Sequence, residues 1–154
     1  MTDYCKEFKQ VIRSVSSVNG KEFDPAKCEV VDRGVPHDVP QLPDGKMGIY
    51  AFLYKGRFLK IGKAGPKSKP RFSSHHYDPN SSRSNFAKSL LKKMSNCEID
   101  ENNVGDWIKT NCRRIDVIID KELGPFALAL IEAALHYYYE PKYEGFDSQR
   151  KAKN

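Results

Sequence analysis

The chain has 154 residues, 39% hydrophobic and 30% charged, a size and balance that fit one globular domain and exclude a disordered or membrane-embedded class. It holds no run of about 18 apolar residues, and its charged opening, "MTDYCKEFKQ", lacks a signal-peptide core, so no membrane span is predicted and the expected compartment is the cytoplasm. A net charge of +6 points to an anionic partner only where the charge is clustered.

In chain order, residues 3–16 carry Tyr4, Phe8, Val11, Ile12 and Val15 on one helical stripe, which predicts an N-terminal helical arm. A connector rich in turn formers follows and ends in "VPHDVPQLPDGK", where Pro36, Pro40 and Pro43 exclude regular structure. A β-hairpin is predicted over roughly 47–63, then helices over 70–76, 84–95 and 104–111. "RRIDVIID", residues 113–120, reads as a strand, and Pro125 to Tyr139 as a helix with proline in its first turn. The predicted fold is therefore α/β (α+β): a small central antiparallel sheet built on the hairpin plus one further strand, flanked by helices. Residues 1–46 form the helical arm and Pro-rich connector, 47–146 the main domain, and 147–154 a basic tail.

Two registers compete in the hairpin "GIYAFLYKGRFLKIGKAG". A two-residue turn at Lys55-Gly56 sets Tyr50 opposite Ile61 and sends Lys60 to the other face. A three-residue loop, Tyr54-Lys55-Gly56, sets Tyr50 opposite Lys60, with Gly56 in the left-handed position that this loop wants. The apolar pattern favours the second. It gathers Ile49, Ala51, Leu53, Leu59 and Ile61 on one face and leaves Tyr50, Phe52, Phe58 and Lys60 on the other.

Charge is clustered in and after this hairpin. Lys55, Arg57, Lys60, Lys63, Lys67, Lys69 and Arg71 fall in 17 residues with no acidic one among them, and Lys92 and Lys93 follow on the next helix. Such a cluster is either a solvated rim or a surface for backbone phosphates. In "RFSSHHY", Arg71 and His75 stand four apart and share a helical face, while His76 is expected at the surface. In "PFALALIEAALHYYY", apolar nearly all the way round and so predicted to be buried, Glu132 is the one charge. A carboxylate there needs a partner: either His136 one turn on, solvent at the helix edge, or a functional site. The four cysteines, Cys5, Cys28, Cys97 and Cys112, lack the paired spacing of a zinc site and read as reduced thiols.

Taken together these segments resemble the GIY-YIG nucleases. Gly48, Ile49 and Tyr50 match the first motif, and Lys60, Ile61 and Gly62 sit where the YIG motif falls, with lysine for its tyrosine. Arg71, His75 and Glu132 follow in order, and Pro141-x-Tyr143 matches the downstream turn except that Glu144 replaces the usual asparagine. The resemblance covers roughly 47–145. It implies hydrolysis of DNA phosphodiester bonds with one divalent metal, Mg²⁺ or Mn²⁺, held by Glu132. Tyr50 would deprotonate or orient the attacking water, Lys60 would favour its phenolate, His75 would orient Tyr50 or relay its proton, and Arg71 would contact the phosphate. Lys63, Lys67, Lys69, Lys92 and Lys93 would line the DNA. The competing readings are a catalytically silent nucleic-acid-binding module and a protein-interaction domain docking through its N-terminal helix. The sequence leaves the oligomeric state open.

Overall fold

A computed structural model describes residues 2–81, 85–93 and 99–143, with only the backbone of Lys93. Glu144, the basic tail, Cys97 and the predicted helix ends at 84, 94 and 95 lie outside the described residues.

Helix α1 (Tyr4–Val15) begins where the Asp3 carboxylate accepts a hydrogen bond from the Lys6 amide, and its stripe buries Phe8 and Ile12. A small hairpin, β1 (Ser17–Val18) and β2 (Lys21–Glu22), turns on Asn19 and Gly20, both at positive φ. Strand β3 (Cys28–Gly34) follows, then the proline-rich stretch without regular structure, then β4 (Lys46–Tyr54) and β5 (Arg57–Ala64). The second half runs α2 (Lys69–Phe72), a 3₁₀ turn (His75–Tyr77), α3 (Phe86–Lys93), α4 (Val104–Asn111), β6 (Arg113–Asp120) and α5 (Gly124–Tyr139). The fold is mixed α+β, with five α-helices and two antiparallel sheets among the described residues. None of these helices is long and apolar enough to cross a membrane.

The main sheet has the order β3-β6-β4-β5, so the predicted hairpin and the strand at 113–120 supply three of its four strands, with β6 and β4 at the centre and β5 an outer edge. Side chains alternate across it. On one face Ile49, Ala51, Leu53, Ile61, Ile115 and Val117 pack with Phe8 and Ile12 of α1 and with Leu128, Ile131 and Leu135 of α5. On the other face Tyr50, Phe52, Leu59 and Ile118 pack with Phe72 and with residues of α3 and α4. α1 and β3 thus belong to the same unit as the hairpin: α1 packs in its core, and β3 pairs with β6 along its length.

Three expectations are corrected. The hairpin uses neither predicted register. Tyr54 pairs with Arg57 across a two-residue turn whose Lys55 and Gly56 both have positive φ, the twist that matches flanking strands. One extra residue, Leu59, then bulges between Phe58 and Lys60, so that Phe52 faces Lys60 and Tyr50 faces Gly62. The bulge restores Lys60 to the face of Tyr50, as the apolar pattern demanded, but it exchanges Phe58 and Leu59 between the two faces.

The predicted helix 70–76 is broken. α2 stops at Phe72, whose carbonyl accepts a 2.6 Å hydrogen bond from the Arg114 guanidinium. Finally, α5 is not buried all round: Leu128, Ile131 and Leu135 are covered, while Phe126, Tyr137 and Tyr138 face solvent.

Candidate active site

The outer edge of β5 organises the predicted site residues. An edge strand leaves backbone carbonyls unpaired on its free side, and here each of four accepts a donor from another segment. The amides of Lys142 and Tyr143 bond to the carbonyls of Phe58 and of the bulged Leu59. His136 donates from Nε2 to the Ile61 carbonyl at 2.6 Å, and Arg71 donates from Nε to the Lys63 carbonyl at 3.1 Å. His136 is therefore taken up by the strand edge and not by Glu132, one of the partners its spacing had suggested.

Glu132 instead meets Lys63. The Lys63 ammonium lies 3.2 Å from Oε1, and the two side chains are 43% and 16% exposed, respectively. Among the described residues the other carboxylate oxygen has no hydrogen-bond partner. Arg71 is exposed, and with its Nε held by the strand, its terminal nitrogens have no partner among the described residues. A carboxylate, an ammonium and a guanidinium thus gather at one position of the edge, Lys63.

Tyr50 reaches the neighbouring position from the other face. Its ring lies over Gly62 so closely that a Cβ on Gly62 would stand 2.3 Å from the phenol oxygen. Only glycine permits this approach, which gives the glycine of the second motif a physical reason. Tyr50 is only 1% exposed, packed between Phe52, Phe72 and His76. His76, expected at the surface, is fully buried, with its ring centroid 3.9 Å from that of Tyr50. The broken α2 explains the reversal, because the chain turns after Phe72 and swings the second histidine inward. Burial, with the nearby cations Arg114 and Lys60, holds His76 well below the usual histidine range and hence neutral. His75 is half-buried.

The remaining lysines are dispersed. Lys60 sits on the Tyr50 face opposite Phe52, Lys67 and Lys92 are exposed, and Lys69 pairs with Asp44. The side chain of Lys93 lies outside the described residues.

A buried polar network that no motif had marked lies beneath the site. Arg114 and Asp116 are both fully buried on β6, with the Arg114 Nε 2.8 Å from one Asp116 oxygen and the Arg33 Nε 2.9 Å from the other. Arg114 also donates to the Tyr77 hydroxyl, which in turn bonds His37, whose Nδ1 donates to the Cys112 carbonyl. The signal was present in "RRIDVIID": alternation puts residues 114 and 116 on one face, and a strand buried on both faces must pair such charges internally.

A hard divalent cation fits the donor set in one way. Among the described residues no group of three or more histidine, cysteine, aspartate or glutamate side chains gathers as a cage. Glu132 would supply one carboxylate oxygen, with water and a substrate phosphate completing the shell, a pattern that suits Mg²⁺.

No protein-family model matches the chain, and neither the curated proteins nor the solved structures return a match.

Proposed function

We propose that this chain is a metal-dependent endonuclease of the GIY-YIG kind, hydrolysing phosphodiester bonds of DNA in the cytoplasm. One observation carries the reading. Tyr50 from β4, Arg71 from α2 and Glu132 from α5, distant in sequence, converge on two consecutive residues of the β5 edge, Gly62 and Lys63. These are three of the residues that the motif order singles out.

Each has a role that its surroundings support. The outward fork of Arg71 would grip a non-bridging phosphate oxygen and gain strength as charge develops there. Glu132 would hold Mg²⁺ or Mn²⁺, which supplies charge stabilisation at phosphorus and at the leaving oxygen when bound. Tyr50, at 1% exposure, suits orientation of the attacking water better than proton exchange with bulk solvent. Its orientation falls to His76, which touches the ring, and Lys60 adds positive charge on the same face. Lys63, Lys67 and Lys92 would contact flanking phosphates. The burial of Tyr50 also favours a second reading, a catalytically silent DNA-binding module.

The test is plasmid nicking. Supercoiled DNA with Mg²⁺ or Mn²⁺ should be cut by the native chain and left intact by Glu132→Ala and Tyr50→Phe. Equal cutting by Glu132→Ala would refute the mechanism, and salt-sensitive binding without nicking would select the silent module.

A further inference from the structure

The ion pair at the strand edge has a consequence for how the site loads. The carboxylate that would take a divalent cation is already in contact with an ammonium, 3.2 Å away. A cation arriving at Glu132 meets the repulsion of the Lys63 ammonium, at a carboxylate largely shielded from water. The same lysine is half-exposed, carries a flexible four-carbon stem, and shares its strand position with Arg71, which bonds its backbone carbonyl. A phosphate gripped by the Arg71 fork therefore lies within the field of Lys63 and offers its ammonium an alternative anion.

Resting on the nuclease reading, we propose that Lys63 couples the two binding events. Without nucleic acid its ammonium occupies Glu132 and keeps cation affinity low; a substrate phosphate draws it away and frees the carboxylate. Linkage requires the converse, that a bound cation releases Lys63 and strengthens phosphate binding by the same factor. The device keeps an unengaged nuclease unloaded, and it assigns the lysine after Gly62 a role beyond that of one more basic contact.

The experiment needs no turnover. Mn²⁺ is titrated into the full chain without DNA, with free Mn²⁺ read by electron paramagnetic resonance, for the native protein, Lys63→Met, Lys63→Gln and Glu132→Gln. Thermal melts confirm that each variant is folded. Both lysine variants should bind Mn²⁺ about fivefold or more tighter than the native chain, the lower end of ordinary coupling, and Glu132→Gln should abolish that binding. Anisotropy of a labelled duplex, with Tyr50→Phe throughout to keep it intact, should show Mn²⁺ strengthening DNA binding when Lys63 is present and losing that effect in Lys63→Met. Mn²⁺ affinity that rises less than this in both folded lysine variants, or persists in Glu132→Gln, overturns the proposal. Absence of plasmid nicking would instead overturn the nuclease reading, so the two failures are separable.

Discussion

Replacing Gly62 by alanine puts a methyl carbon where the Tyr50 phenol already lies. The added Cβ would stand 2.3 Å from the hydroxyl oxygen and 2.5 and 2.6 Å from two ring carbons, distances that real contacts do not reach. The backbone of Gly62 is not in the left-handed region, so the cost comes from the collision alone. The ring has little room to retreat, with His76 at 3.9 Å, Phe72 at 6.5 Å and Phe52 at 6.4 Å between ring centroids. Overpacking of a core costs about 1–3 kcal/mol, and a buried, hemmed ring argues for about 3. For a chain of this length that lowers the thermal midpoint by about 6–12 °C. A double-mutant cycle identifies the cause. In a Tyr50→Phe background the ring carbons remain and the penalty should persist. In a Tyr50→Ala background all three clashing atoms are gone, and it should fall below about 0.5 kcal/mol. Urea denaturation followed by circular dichroism measures each corner. An unchanged stability for Gly62→Ala, or an equal penalty in the alanine background, would refute the packing of Tyr50 on Gly62.

Two further outcomes follow from the interior. His76 and His37 are both held below the usual histidine range, chiefly by burial, so the unfolded chain takes up protons near pH 6.5 that the folded chain does not. Stability should therefore be level above that pH and fall as the pH drops through it. The slope is up to about 1.4 kcal/mol per pH unit for each histidine, and urea midpoints between pH 5 and 8 should show it roughly halved in His76→Asn. A flat profile would contradict their burial as neutral groups. Arg114→Met leaves Asp116 with Arg33 as its one cationic partner among the described residues and removes the donor to Phe72, and should cost about 3 kcal/mol, visible as a lower urea midpoint. A loss below about 1 kcal/mol would mean the pair contributes little.

What the sequence made legible follows the physics of each segment. β6 and α4 match their predicted spans, and α1 and α5 differ at most by a residue or two at the ends, because their periodicity is local. β3 escaped notice because "CEVVDRG" is an edge strand with charges at Glu29, Asp32 and Arg33, stable only through its pairing with β6. The small hairpin at Asn19-Gly20 was signalled plainly by that dipeptide but was absorbed into the connector. At the site, the shared face of Tyr50 and Lys60 was readable from alternation, whereas the bulge at Leu59 depends on contacts across the strand edge. The inward turn of His76 was not legible from local spacing: where α2 ends, the Phe72 carbonyl is held by Arg114, more than thirty residues away. The partner of Glu132 was likewise nonlocal: Lys63 lies 69 residues from it.

The four donors along the outer side of β5 bear on how an inactive control should be made. A bare strand edge invites pairing with the edge of another molecule, and aggregation follows. Arg71, His136 and the backbone after α5 close this edge, so they keep the chain from sticking to itself as well as framing the site. A dead variant made at Arg71 would reopen the carbonyl of Lys63, and its loss of cutting would be mixed with loss of solubility. Glu132→Ala and Tyr50→Phe leave the strand sealed, and their inactivity can be read as chemistry.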